Sequence, residues 1–223
     1  MSTATATRER PILFSGEMVR AILDGRKTQT RRVVTPQPAD RFSEPQVGPG
    51  WVCVWWRVLN DLNDWHDVRM PFHPGDRLYV RETWRGLHRF HTKSVPSGTY
   101  IHYEADGGGD PQGRRGRLGR FGRVRPSIHM PRWASRINLD VTSVRVERVQ
   151  DATEGDCIAE GMEGVGCDHR YAENGACTDC MNSGWIEPPG LHFKELWDSL
   201  NAKRGYSWDT NPWVWVIEFR GAS

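Results

Sequence analysis

Several features that decide a chain's class are missing from this sequence. No apolar run approaches the roughly 20 residues that span a bilayer, so no membrane partner is expected. No secretory signal opens it, and the expected compartment is the cytoplasm. The formal net charge is only +2, too small to imply nucleic-acid binding by itself, so local clustering has to carry that argument. Cysteine is limited to Cys53, Cys157, Cys167, Cys177 and Cys180. Without an export signal these read as thiols or metal ligands, not as a disulfide framework. Gly113, Gly116, Gly119 and Gly122 recur at every third position, but four such units are too few for collagen.

What is present points to a β-rich chain. Its 223 residues suit one elaborated domain or two small ones, able to bury roughly 70% of the unfolded surface without staples. The 23 glycines and 14 prolines are well spread, which favours turns and short strands over a helical bundle. Eleven tryptophans are many for this length; most suit a core, and surplus indoles can stack on bases.

"RPILFSGEMVRAILDG" reads as a short strand and then a helix. Ser15 suits the N-cap, Glu17 the positive helix end and Gly25 the left-handed stop, with Met18, Ile22 and Leu23 forming an apolar face. "TRRVVT" starts a strand, and "WVCVWWRVL" and "DRLYVRETW" are further strands, the latter with Leu78, Val80, Glu82 and Trp84 on one face. "ARINLDVTSVRVERV" alternates through Ile137, Leu139 and Val141, then changes phase to Val144 and Val146, as a bulge at Thr142–Ser143 would produce. "DATEGDCIAEGM" pairs Thr153 with Asp156 in a capping-box pattern and stops at Gly161, predicting a helix of about two turns. "LHFKELWDSLNAKRG" is a clearer helix with Phe193, Leu196, Trp197 and Leu200 inward. "PWVWVIEFR" is apolar on both faces, as a central strand would be. Residues 86–133 and 163–190 read as insertions into a single domain spanning 1–223.

Three constellations carry chemistry. "DGRKTQTRR", Asp24 to Arg32, crowds Arg26, Lys27, Arg31 and Arg32 at a helix-to-strand corner. It is either solvated decoration or a grip on something anionic. The glycine-rich run "GRRGRLGRFGRVRP" places Arg114, Arg115, Arg117, Arg120, Arg123 and Arg125 on an adaptable backbone, suited to phosphates and bases, and Phe121 offers a stacking face. Cys177 and Cys180 form a C-x-x-C knuckle that can hold one side of a structural zinc, with Cys167 and His169 close upstream to complete it. The rival reading of C-x-x-C is redox chemistry, but no thioredoxin-like strand–helix context surrounds it. Cys53 and Cys157 read as small buried hydrophobes. Glu82 interrupts an apolar strand face, so it lies either at a binding mouth or against an arginine, and Trp133 is either core or a base platform.

"ILDGRKTQTRR" resembles the signature of the ASCH domain family, relatives of the PUA domain of RNA-modification proteins. "PGDRLYV", "VTSVRVERVQDATEGDCIAEGM" and "WVWVIEF" agree with it in order, and "IHMPRWASRI", "LWDSLNAKRG" and "NPWVWVIEFR" are similar to its phage and prophage branch. The resemblance implies an α+β fold: a small PUA-like β-barrel with helices around it and a cleft beside the first helix. It also implies a ligand for residues 26–32, namely RNA, a nucleotide or a nucleoside. A bacterial amidohydrolase of the family removes acyl groups from acetylcytidine with a lysine, a threonine and a glutamate. The matching motif positions here are Lys27, Thr30 and Glu160. A desolvated lysine near other cations can serve as a base, a threonine hydroxyl needs one to become a nucleophile, and a glutamate can return the proton to a leaving amine. On a regular strand Lys27 and Thr30 face opposite ways, so an irregular corner is expected. Recognition of RNA, a nucleotide or a nucleoside in a basic cleft at residues 26–32 is the first expectation; removal of acyl groups from a modified cytidine, ribonuclease activity and binding of a host protein by a phage protein are the alternatives.

Overall fold

A computed structural model describes residues 8–38, 42–47, 53–58, 65–88, 101–107, 120–121, 123–162 and 189–222; for 42–47, 53–58, 65–67, 87–88 and 120–121 it describes the backbone only. The elements in chain order are β1 (Glu9–Leu13), α1 (Gly16–Leu23), β2 (Gln29–Val33), β3 (Phe42–Val47), β4 (Cys53–Val58), β5 (Trp65–Arg69), β6 (Arg77–Arg81), β7 (Trp84–His88), β8 (Ile101–Tyr103), β9 (Arg120–Phe121), β10 (Asn138–Arg148), α2 (Glu154–Ala159), α3 (Pro189–Asn201) and β11 (Trp213–Gly221). The class is α+β, with sheet dominant and few helices. The described strands do not close into a barrel. Among the described residues no helix is long and apolar enough to cross a membrane.

The chain forms two compact units, each assembled from separated segments. Residues 1–25, 75–141 and 220–223 make the first. There β1 runs parallel to β6, and β6 pairs antiparallel with the start of β10, Asn138 opposite Tyr79. A second sheet of this unit has β7 between β8 and β9. Its small core joins Trp84, Met130 and Ala134, with Ile101 and Tyr103 packed against them. The expected face of Leu78, Val80, Glu82 and Trp84 is buried, at 0, 1, 1 and 3% exposure. The sequence pattern suggested one continuous strand there, but pairing stops after Arg81 and resumes at Trp84. Arg136 closes on the Glu82 carboxylate at this break, at 2.9 and 3.0 Å.

Residues 26–74 and 142–219 make the second unit. Within it β11 lies between β10 and β2, antiparallel to β2 with Ile217 opposite Thr30. Both faces of β11 are buried from Trp213 through Ile217, as its continuous apolar run predicts for a central strand. β3, β4 and β5 form an antiparallel sheet in that order. Val149, Cys157, Phe193, Trp197, Val214 and Val216 form the core that holds α2 and α3. Fully burying one large apolar side chain contributes about 1.5–3 kcal/mol, so Phe193 and Trp197 dominate the docking of α3.

Helix ends follow their sequence signals. The Ser15 hydroxyl accepts from the Met18 N–H, and Gly25 adopts a φ of +74°. Thr153 and Asp156 form a reciprocal capping box, and Gly161 ends α2 at φ +89°. The inward faces differ in detail. Leu23 is 51% exposed, and α1 buries Val19 and Ala21 instead. On α3 the inward row is Phe193, Trp197 and Asn201, at successive spacings of four; Leu200 is one position off that row and is 51% exposed. Asn201 tolerates burial because its amide donates to the Trp197 carbonyl at 3.2 Å. The phase change after Val141 falls where the chain passes from the first unit to the second.

Candidate functional site

The corner begins where α2 ends. Glu160 is the C-cap of α2, so the last carbonyls of the helix need donors from elsewhere. The segment after α1 supplies them. The Thr28 N–H bonds the Ala159 carbonyl at 2.8 Å, Lys27 Nζ the Glu160 carbonyl at 2.8 Å, and an Arg26 guanidinium N–H the Gly161 carbonyl at 3.4 Å. Cations are favoured at a helix C-terminus, so this contact suits the charges present. Lys27 and Glu160 also form a backbone bridge outside the regular strands. Lys27 thus lies outside β2, which begins at Gln29.

Side chains then converge on four carboxylates. Lys27 Nζ donates to Glu160 Oε2 at 2.7 Å, with side-chain exposures of 0 and 4%. Arg31 takes the other oxygen of Glu160 at 3.2 Å and binds Glu147 Oε1 through two nitrogens at 3.0 and 2.5 Å. It also lies 3.4 Å from Asp156 and 5.5 Å over the Phe193 ring. Gln29 donates to Asp156 Oδ1 at 3.0 Å. Arg145 reaches Glu147 at 3.1 Å, Asp156 at 2.8 Å, and Glu218. Gln29 and Arg31 occupy alternate positions of β2 and so share one side of it, and Lys27, just before the strand, reaches the Glu160 carboxylate that Arg31 also holds. Three cations, Lys27, Arg31 and Arg145, face four carboxylates, Glu147, Asp156, Glu160 and Glu218. The charge of Lys27 and Arg31 is therefore directed inward, onto these acids.

Burial governs the protonation of this cluster. It pushes the Lys27 ammonium below its ordinary range; Glu160 opposes that push, and Arg32 and Arg31 add to it. Burial likewise lowers Arg32, which Glu160 partly offsets. Burial alone would raise Asp156, but hydrogen bonds from Thr153 and Gln29 together with the Arg31 charge hold its carboxyl well below the usual range. Burial raises the Cys157 thiol, which is 2% exposed, as expected of a small core residue. A lysine whose charged form is disfavoured, hydrogen-bonded to a carboxylate, can exchange a proton with it at short range.

The remaining candidates fall elsewhere. Thr30 is 3% exposed on β2, and by strand alternation it faces away from Gln29 and Arg31. Among the described residues its hydroxyl makes no hydrogen bond. The structure thus joins Lys27 to Glu160, while Thr30 lies on β2 and no hydrogen bond among the described residues links its hydroxyl to either. Glu82 belongs to the first unit and is held by Arg136, the arginine-paired form of the two expected for it. Arg114, Arg115 and Arg117 lie outside the described residues, as do Cys167, His169, Cys177 and Cys180. Arg120 is described by its backbone alone, paired with His88. Among the described residues no group of three or more His, Cys, Asp or Glu could hold a metal.

Sequence reasoning missed Gln29, Arg145, Glu147 and Glu218. A signal was available, because "VRVERV" alternates Arg145 and Glu147 against Val144 and Val146, giving one strand a charged face. A charged face on a strand that also passes through a core requires a partner face, and "QTRR" carries one. Compared with family models, curated proteins and solved structures, the chain gives no match.

Proposed function

We propose that the Lys27–Glu160 corner is a hydrolytic site for an acyl amide carried on a nucleobase, within a nucleoside, nucleotide or RNA. The observation that carries this reading is the buried 2.7 Å pair between Lys27 and Glu160, in surroundings that disfavour the ammonium. The resemblance to ASCH-domain proteins supplies the substrate class and the PUA-like barrel as the expected frame. With substrate bound, Lys27 passes a proton to Glu160 within the pair. The neutral amine then takes the Thr30 proton as the hydroxyl oxygen attacks the acyl carbon. The carbon–nitrogen bond breaks, and the leaving amine takes the proton held on Glu160, which restores the original pair. Water then hydrolyses the acyl-threonine ester. The mechanism requires Lys27 to reach Thr30 in the reacting complex; catalytic hydrogen bonds commonly tighten only once substrate is bound.

Phosphate binding and RNA cleavage by the same residues fit the corner less well. A phosphate grip needs guanidinium and ammonium groups turned toward the ligand, whereas Lys27 and Arg31 are committed to carboxylates. Cys167, His169, Cys177 and Cys180 are proposed to hold one structural zinc, because two thiolates in a C-x-x-C with a nearby cysteine and histidine suit tetrahedral coordination. The hydrolytic reading is tested by acid release from N-acylated cytidines. Thr30→Val and Glu160→Gln should abolish turnover while substrate still binds. Full activity of Thr30→Val refutes a threonine nucleophile.

A further inference from the structure

We propose that Trp133, Arg125 and Arg123 form a binding platform for single-stranded nucleic acid on the first unit, independent of the Lys27–Glu160 reading. Trp133 is 55% exposed, high for an indole, and Ile128 nearby in sequence is 56% exposed. The backbone beneath these side chains is fixed. Arg125 exchanges two hydrogen bonds with Trp84, at 3.2 and 2.8 Å. Two 3₁₀ turns follow, Ser127–His129 and Arg132–Ala134, each preceded by a proline. Between and within them Met130 and Ala134 are buried at 0 and 1%. Trp84 links the exposed groups from below: Trp133 meets its ring edge-on at 6.0 Å, and the Arg125 guanidinium lies over it at 5.2 Å. An aromatic face held on a rigid turn loses little freedom when a base stacks on it.

The charges select the occupant. Among the described residues of this unit, Glu9 pairs with Arg132, Glu104 with Arg85, Asp140 with Arg77, and Glu82 and Asp106 with Arg136. Arg123 and Arg125 are exposed, and no described carboxylate lies within salt-bridge distance of either. An exposed indole and the Arg125 guanidinium meet on Trp84, Arg123 lies two residues before Arg125, and no described carboxylate pairs with either arginine, which matches a ligand that carries both π-faces and phosphates. A single strand offers its bases for stacking, and a duplex does not.

Binding of a labelled oligothymidylate to the full chain, read by fluorescence anisotropy, tests this. A duplex of equal length and heparin serve as probes of charge without free bases. Wild type should prefer the single strand over both. Trp133→Ala should weaken single-strand binding about tenfold or more and abolish that preference, and Trp133→Phe should restore most of it. Replacing Arg123 and Arg125 together with glutamine should reduce the slope of log K against log salt by about 1.4, roughly 0.7 for each phosphate contact. Every variant keeps Arg114, Arg115, Arg117 and Arg120, so the differences report the platform and not the earlier arginines of the run. If Trp133→Ala does not fold, the salt slope of the double variant decides. Equal binding of single strand, duplex and heparin by wild type overturns the proposal. So does wild-type affinity in a folded Trp133→Ala, or an unchanged slope in the double variant. Absence of any single-strand binding also overturns it and leaves a protein as the occupant of that face.

Discussion

Replacing Arg31 with methionine keeps an unbranched side chain on β2 and removes the guanidinium that ties three carboxylates together. Its side chain is 1% exposed, so no water waits to replace the lost donors. Contacts to Glu147 at 3.0 and 2.5 Å, to Glu160 at 3.2 Å and to Asp156 at 3.4 Å disappear. Removing one partner of a buried ion pair costs about 3–5 kcal/mol, chiefly because the other charge is left uncompensated. Lys27 stays on Glu160, and Arg145 stays on Glu147 and Asp156, which places the expected cost at the lower end, about 3 kcal/mol. For a chain of this size that corresponds to a melting temperature lower by about 6–12 °C. The pH dependence follows from Asp156, whose folded carboxyl lies below its unfolded value. Its contribution to stability is present above the ordinary carboxylate range, near pH 4, and is lost as pH falls through the folded value. Arg31 is one of the groups holding that value down, so in the variant the acid-dependent loss that starts near pH 4 should be smaller, and complete at a higher pH, than in wild type. Thermal unfolding followed by circular dichroism from pH 3 to pH 8 measures both effects. A shift below about 3 °C at pH 7, the size expected of an exposed pair, would refute the buried-network account, as would any stabilisation.

Protein purified without added metal should contain one zinc per chain by elemental analysis, and changing Cys177 and Cys180 to serine should remove it; a metal-free wild type sinks that assignment. Replacing Arg114, Arg115, Arg117 and Arg120 with glutamine should weaken RNA binding and flatten its salt dependence, and an unchanged salt slope would leave that run as solvated surface.

What could be read from the sequence was mostly local. Ser15, Gly25, the Thr153–Asp156 box and Gly161 act within one turn of chain, and each appears where its chemistry places it. The double apolar face of β11 was legible because a strand buried on both sides has to be apolar at consecutive positions. The inward row of α3 was harder to place. Leu200 and Asn201 differ by one position, and the geometry of i, i+4 stacking prevailed over hydrophobicity. At the corner, composition showed cations but not where they point. Their partners come from β10, α2 and β11, more than 100 residues away for Glu147, Asp156 and Glu160. Only the pairing of β2 beside β11, and the docking of α2 against the residues before β2, brings these groups together. The division into two units was also hidden, because both are built from discontinuous segments and neither has a linker to mark it.

Release of acid from an N-acylated cytidine by wild type and by Lys27→Arg tests the central claim most directly. Arginine can keep a charge beside Glu160, but a guanidinium does not give up its proton near neutral pH. Wild type should turn over while Lys27→Arg, folded and still able to bind the substrate, should not. Turnover by Lys27→Arg equal to wild type, or no turnover by wild type on any acylated nucleoside, would contradict the account.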